Sequence, residues 1–259
     1  MHVSGPAATD YLQRMVSNDV EALAVGGSCE GLLLTPKARI IALVTVLRRS
    51  KDDFLLLTEP ELGERVRDHL RAFRFATRAE IELEEHESWL VFGERPKGEL
   101  AVPNEDYGTS AWEILDAGGP PDGPEVDAAE LEARRIAAGR PRHGAEIDDR
   151  VLPAEAGLVD RAVSLTKGCY PGQEPIARLH YRGHANRGLR TLVLDGEEVP
   201  EPETEILLGE KIVGRLTSAA RSNGRIVALG YVRVEVPGDA ELTVGGSSAR
   251  SLDLVSARP

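Results

Sequence analysis

The chain has 259 residues, with 41% hydrophobic and 29% charged side chains, which is typical of a globular protein and allows one large domain or two to three smaller ones. It has no run of about 18 apolar residues, so we expect no membrane-spanning helix and no membrane partner. The net charge of -12 repels nucleic acid, so we expect no direct DNA binding.

The first part of the chain predicts an α+β fold with mainly antiparallel strands. Apolar residues at helical spacing predict a helix over 6–16, and the polar run Ser17–Asp19 ends it. A capping-box pattern at 58–61 predicts a second helix to about Phe75. The predicted strands, rich in aliphatic and β-branched residues, are 31–34, 39–47, 54–58, 79–84 and 88–92. We interpret region 31–93 as a β-β-α-β-β unit.

The second part of the chain changes its pattern twice. The run Gly118–Pro124 breaks regular structure, and a helix is predicted over 126–138, ended by Gly139. From Leu189 onward, short apolar segments alternate with turns, which predicts a small all-β barrel. Its predicted strands are 189–194, 204–208, 211–217, 225–234, 240–244 and 251–255.

The two cysteines, Cys29 and Cys169, are too few for a disulfide framework or for a complete set of iron–sulfur ligands. The N-terminal residues lack the basic start and apolar stretch of a secretion signal, so we expect a cytoplasmic protein with reduced thiols. His180 and His184 have a spacing seen in metal sites, but Gly183 lies between them and no acidic neighbour completes the set. No metal site is predicted.

The segment 167–174, KGCYPGQE, is the candidate functional centre. Gly168 and Gly172 flank Cys-Tyr-Pro, which predicts a sharp turn around Cys169. Lys167 lies two residues from the thiol and would favour its thiolate form. A tight connecting loop with an unreactive structural cysteine is the alternative.

Charge is unevenly distributed around this motif. Residues 167–190 carry five basic side chains against one acidic side chain, whereas residues 192–210 carry seven acidic and no basic ones. Arg178 and Arg182 are four residues apart and would share one face of a helix. The basic stretch predicts either a site for an anionic small molecule or a solvated charged surface.

The motif, followed by ARLHYRG at 177–183, resembles the signature of the YgfZ-type proteins, which are relatives of the glycine cleavage T-protein (aminomethyltransferase) family. The resemblance extends over essentially the whole chain. The further matching segments are SNDV at 17–20, 134–158, GRLTSAARS at 214–222 and ALGYVR at 228–233.

The resemblance implies a T-protein-like arrangement of three subdomains around a central folate cleft. We expect a central α+β subdomain formed by 1–30 and 108–186, a ferredoxin-like subdomain over 31–107, and a C-terminal barrel over 187–259. It also implies tetrahydrofolate as cofactor and a role in assembly or repair of iron–sulfur proteins, with iron–sulfur client or assembly proteins as partners and effects on tRNA modification.

The resemblance assigns roles to residues of this chain. Cys169 is the expected essential thiol, and Lys167 is expected to tune it. The expected folate contacts are Tyr170, Arg178, Arg182 and Asn18. The residues expected to shape the motif are Gly168, Gly172, Gln173 and Glu174.

Two departures from the T-protein pattern alter these expectations. The strand carboxylate that serves methylene transfer in the T-protein corresponds here to Ile41 or Ala42, and neither side chain can exchange a proton. The glutamate that contacts the pterin corresponds to Ala137. We therefore expect no aminomethyltransferase activity, although the sequence leaves open whether the chain is an enzyme. The alternatives are a tetrahydrofolate-dependent one-carbon transferase and a scaffold that binds only protein partners.

Overall fold

The structure is a computed structural model that describes residues 1–97 and 100–252. The chain forms two compact units. The first comprises Met1–Glu87 and Asp148–His184, and the second comprises Ser88–Ile147 and the chain from Ala185 onward. The predicted subdomain boundaries remain predictions.

Both units combine helices with antiparallel strands. In chain order, the helices are α1 (Ala8–Met15), α2 (Gly63–Arg74), α3 (Ala128–Ala137), α4 (Val159–Ala162) and α5 (Gln173–Arg182). The strands are β1 (His2–Ser4), β2 (Ser28–Leu34), β3 (Ile40–Ser50), β4 (Asp53–Leu57), β5 (Glu80–Glu82), β6 (Ser88–Phe92), β7 (Leu100–Asn104), β8 (Ala111–Leu115), β9 (Arg187–Asp195), β10 (Glu205–Leu208), β11 (Lys211–Ser222), β12 (Arg225–Arg233), β13 (Leu242–Val244) and β14 (Ser247–Ser251).

The first unit is built on an antiparallel sheet with the strand order β2-β3-β4-β1-β5. The helix α1 buries Tyr11 and Leu12 in its core, and α2 buries Val66 and Leu70. The Tyr11 hydroxyl donates a hydrogen bond to the Leu70 carbonyl oxygen at 2.5 Å. The spacing of apolar residues along α1 and α2 therefore places one face of each helix in this core.

The second unit contains a closed barrel with the strand order β10-β11-β12-β9-β14-β13 and a three-stranded sheet with the order β6-β8-β7. The helix α3 packs on the barrel strands, where Ile136 is fully buried against Val227 and Leu229. Asp127 caps this helix, since its side chain accepts a hydrogen bond from the Glu130 amide. The predicted C-terminal barrel is confirmed.

The predicted capping box at 58–61 is wrong. The residues Pro60–Leu62 form a 3-10 turn, and α2 begins only at Gly63. The Thr58 hydroxyl donates instead to the Leu43 carbonyl oxygen at 3.0 Å. A tertiary hydrogen bond to β3 thus replaces the local cap.

Three strands differ from the sequence-based expectation, and one of them, β1, is not predicted at all. The segment Ser88–Phe92 is a strand, but it pairs with β8 in the second unit instead of joining the sheet of region 31–93. The three-residue strand β1 lies between β4 and β5 in that sheet, and it is too short to show a period in the sequence. The last barrel strand is Ser247–Ser251, and the end of the predicted strand 251–255 lies outside the described residues.

No helix within the described residues is both long and apolar enough to cross a membrane.

Candidate functional site

The candidate site is the turn that precedes α5 in the first unit. Gly172 occupies the position before the helix with a φ of 84°, in the left-handed region that favours glycine. A Cβ there would lie 2.9 Å from the Thr35 carbonyl oxygen and 3.0 Å from the Ala38 Cα. Gly168 has open space around the corresponding point. The turn therefore requires Gly172 by geometry but does not require Gly168.

The turn presents Cys169 to solvent as an exposed free thiol. The other cysteine, Cys29, is half-buried in β2 and packs against the core of the first unit. Burial raises the pKa of the Cys29 thiol to about 11, so it is protonated at neutral pH. The exposed thiol is thus the accessible one, as the motif predicts for a functional cysteine.

Lys167 anchors the turn. Its Nζ donates hydrogen bonds to the carbonyl oxygens of Val16 and Asn18, both at 2.6 Å, and it lies 5.4 Å from the centre of the Tyr170 ring. Burial lowers the pKa of Lys167 to about 8. The charge of Lys167 acts on the Cys29 thiol, whose pKa it lowers against the larger effect of burial. The tuning of Cys169 by Lys167 remains a prediction.

The polar residues that follow α1 form hydrogen bonds to other elements of the first unit. The buried Ser17 hydroxyl donates to the Ala162 carbonyl oxygen at 2.6 Å and accepts from the Leu32 amide at 2.8 Å. The Asn18 side-chain amide donates to the carbonyl oxygens of Glu30 at 2.8 Å and Arg161 at 3.3 Å. These two side chains therefore connect the segment after α1 to β2 and α4. The same segment supplies the carbonyl oxygens of Val16 and Asn18 that Lys167 contacts. The match of SNDV to the family was the only sequence signal for this role.

Tyr170 follows the exposed cysteine in the chain and is itself buried. Its hydroxyl oxygen is buried and has no hydrogen-bond partner among the described residues. Burial raises the pKa of Tyr170 to about 12, so the hydroxyl keeps its proton at neutral pH. A buried hydroxyl without a partner is costly in free energy and marks a place where a ligand or water would be stabilised.

The remaining predicted residues lie on α5. Arg178 and Arg182 are exposed and one turn apart, as their spacing predicts. The Gln173 side-chain amide lies 3.4 Å from the Lys167 carbonyl oxygen, at the long limit of a hydrogen bond. Glu174 is exposed in the first turn of the helix, where the helix dipole favours a carboxylate.

The positions that are expected to depart from the T-protein pattern carry no ionisable group. Ile41 is 7% exposed and Ala42 is fully buried in β3. Ala137 lies at the end of α3 and packs against the apolar cluster of Ile136. Neither strand residue can accept a proton, and Ala137 offers no acceptor side chain.

Comparison with known proteins identifies relatives and a fold. No protein-family model matches the chain. The aminomethyltransferase of Alcanivorax borkumensis is 22% identical over 93% of this chain and 77% of its own length. The tRNA-modifying protein YgfZ of Edwardsiella ictaluri is 31% identical over 50% of this chain and 41% of its own length.

Among solved structures, the crystal structure of the glycine cleavage system aminomethyltransferase T from Bartonella henselae matches with a TM-score of 0.82. The match covers 97% of this chain and 81% of that chain at 20% identity, so it establishes the fold alone. The predicted α+β fold of T-protein type is confirmed.

Proposed function

We propose that the chain is a folate-binding protein that assists iron–sulfur cluster assembly or repair through the Cys169 thiol. The proposal is supported by the similarity of the chain to YgfZ-type proteins and to aminomethyltransferases. Its relatives carry the names tRNA-modifying protein and aminomethyltransferase. Effects on tRNA modification would then follow from its action on iron–sulfur enzymes.

The observation that carries this proposal is an exposed thiol on a rigidly held turn. Gly172 fixes the turn at the start of α5, and Lys167 ties it to the segment after α1. Thiolates are the usual ligands of iron–sulfur clusters, but one thiolate cannot hold a cluster alone. We therefore assign the cluster, or its iron or sulfide, to a client protein as the substrate on which Cys169 acts.

The described residues fit a folate in part. The buried Tyr170 hydroxyl lacks a partner and can donate to a ligand acceptor, and Arg178 and Arg182 offer cations for the folate carboxylates. The Asn18 side chain is already bonded to two carbonyl oxygens, so its contribution is to hold the turn.

The alternative function is one-carbon transfer, which the aminomethyltransferase relative and the T-protein fold favour. That chemistry needs a proton-handling carboxylate at the position of Ile41 or Ala42. Both are aliphatic and buried. We therefore propose that purified protein transfers no methylene group to tetrahydrofolate, and measurable transfer would favour the alternative.

The role of the thiol is tested by complementation. A host that lacks its own copy of this protein is supplied with the wild type, Cys169→Ala or the control Cys29→Ala. We expect the wild type and Cys29→Ala to restore iron–sulfur enzyme activity, and Cys169→Ala to leave it at the level of the empty host. Full recovery with Cys169→Ala would refute the role assigned to this thiol.

The cofactor is tested separately by calorimetric titration with tetrahydrofolate. We expect saturable binding that weakens in Arg178→Gln or Arg182→Gln, since each loses a cation for a carboxylate. No heat of binding at millimolar tetrahydrofolate would remove the cofactor from the proposal and favour a scaffold that binds only protein partners.

A further inference from the structure

A small cavity lies in the first unit among α5, the hairpin between β2 and β3, and the segment that precedes α4. Its volume is about 190 Å³. Its walls are mainly aliphatic, with Leu152 and Ile176 among them, and three cationic residues also line it, namely Lys37, Arg39 and Arg178. None of the described residues that line the cavity carries a carboxylate.

These three cations form no ion pair among the described residues. Arg39 donates to the Arg150 carbonyl oxygen, which leaves its charge uncompensated. The chain has 43 acidic against 31 lysine and arginine residues, so the molecule as a whole is negatively charged. The larger cavity of about 610 Å³ in the second unit has three glutamates, and no lysine or arginine, among the described residues that line it. The lining of this cavity is therefore positively charged, although the chain as a whole carries a net negative charge.

We propose that this cavity binds a small organic monocarboxylate with a compact apolar body. The volume of 190 Å³ lies below the roughly 300–1,000 Å³ of sites for drug-sized ligands, so it suits a smaller molecule. The guanidinium of Arg178 matches the planar carboxylate, and the aliphatic walls match the apolar body. A phosphate ester carries close to two charges at neutral pH and would lose more hydration free energy against such walls.

The site shares Arg178 with the proposed folate contacts but does not involve the Cys169 thiol, and its ligand goes beyond the proposed function. It lies against the same hairpin that Gly172 contacts through Thr35 and Ala38. A ligand there would contact both the hairpin and α5. Binding would therefore stabilise the packing of α5 on β2 and β3.

The test is a calorimetric titration of the full chain with benzoate, with benzamide as the neutral analogue and inorganic phosphate as the second anion. We expect saturable binding of benzoate, no binding of benzamide, and phosphate weaker than benzoate by about tenfold or more. Arg178→Gln should weaken benzoate binding by about tenfold or more, because one charge-assisted hydrogen bond is lost. Arg182→Gln is the matched control, one turn along the same helix and outside the cavity lining, and should change the affinity less than about twofold.

Equal losses in the two variants would show a general surface charge effect and overturn the proposal. So would an absence of saturation at tens of millimolar benzoate, or phosphate binding as tightly as benzoate. Cys169→Ala should bind benzoate as the wild type does, so that failure of the thiol proposal and failure of this one remain distinguishable.

Discussion

Two glycines flank Cys169 in the sequence as equals, but the structure separates them. Only Gly172 has a left-handed backbone conformation and backbone atoms in the space a Cβ would occupy. The carbonyl of Thr35 and the Cα of Ala38 belong to the hairpin between β2 and β3 and cannot yield as a flexible side chain does. The position of the thiol relative to the sheet therefore requires a residue without a Cβ at position 172.

Gly172→Ala is expected to destabilise the protein by about 2–4 kcal/mol, because it combines a left-handed conformation with a backbone clash. Gly168→Ala is the matched control in the same turn. Its Cβ would meet open space, so the expected change is within about 0.5 kcal/mol. Urea unfolding followed by circular dichroism measures both, and equal effects of the two substitutions would contradict the geometry of the turn.

Lys167 makes stability depend on pH in alkaline solution. Burial lowers the pKa of Lys167 from 10.5 to about 8 in the folded protein. Between these values the unfolded chain binds more protons than the folded chain, so the free energy of unfolding rises with pH. Below about pH 8 both states are protonated and the cost of the buried charge is fully present.

We expect the free energy of unfolding of the wild type, relative to that of Lys167→Met, to rise between pH 8 and 10.5 by about 3 kcal/mol at most. Methionine keeps the length of the side chain and has no proton to release. The difference between the two proteins cancels the contributions of the other groups that titrate in this pH range. Parallel pH profiles for the two proteins would show that Lys167 titrates normally.

At the scale of elements, a buried ionic network holds α3 on the barrel. The Arg135 guanidinium donates to Glu146 at 2.9 Å, to Glu132 at 2.7 Å and to the Ser218 hydroxyl of β11 at 3.1 Å. The Ser218 hydroxyl donates to Glu146 at 2.6 Å. The Glu146 side chain is fully buried, so its charge depends on these partners.

Removing one charged partner of this network should lower the free energy of unfolding more than removing both. Arg135→Met leaves the buried Glu146 carboxylate unpaired, and we expect a loss of about 3–5 kcal/mol. Arg135→Met combined with Glu146→Leu removes both charges and should recover part of that loss. Denaturant unfolding of the two single variants and the double variant gives the coupling free energy, and additive effects would contradict the network.

The elements that the sequence predicted correctly have strong local periods. The barrel strands and α1 to α3 follow this rule, with ends displaced by a few residues. No strand is predicted over Leu100–Asn104 or Ala111–Leu115. The first of these contains Pro103, which is tolerated there because the strand lies at an edge of its sheet. The three-residue β1 was missed because it is too short to carry a pattern.

The site was predictable only as a motif. Paired glycines around a cysteine predict a turn, and the turn is present. Lys167 is anchored by Val16 and Asn18, from which it is separated by 151 and 149 positions in the sequence. No local sequence pattern signals contacts over such separations. The buried Tyr170 hydroxyl likewise results from tertiary packing.

At the scale of the whole molecule, the order of segments along the chain determines which segments can be deleted without leaving a core uncovered. Each unit is assembled from two separate stretches of the chain. In the second unit, Ile136 of α3 is covered by Val227 and Leu229, which the chain supplies about 90 residues later. The buried Glu146 likewise bonds to Ser218. The stretch 88–147 therefore lacks its packing partner until the barrel is present.

A fragment that ends at His184 should consequently misfold in its stretch 88–147. It would expose the apolar face of α3 and leave the charges of Arg135 and Glu146 without Ser218, and both effects favour aggregation. We expect the fragment to bind a hydrophobic dye and to elute as aggregates in size-exclusion chromatography, whereas the full chain does neither. Co-expression with residues 185–259 should suppress the dye binding, because it returns the missing barrel strands. A monomeric fragment without dye binding would show that 88–147 packs by itself, and that the covering of Ile136 by the barrel contributes little to the fold.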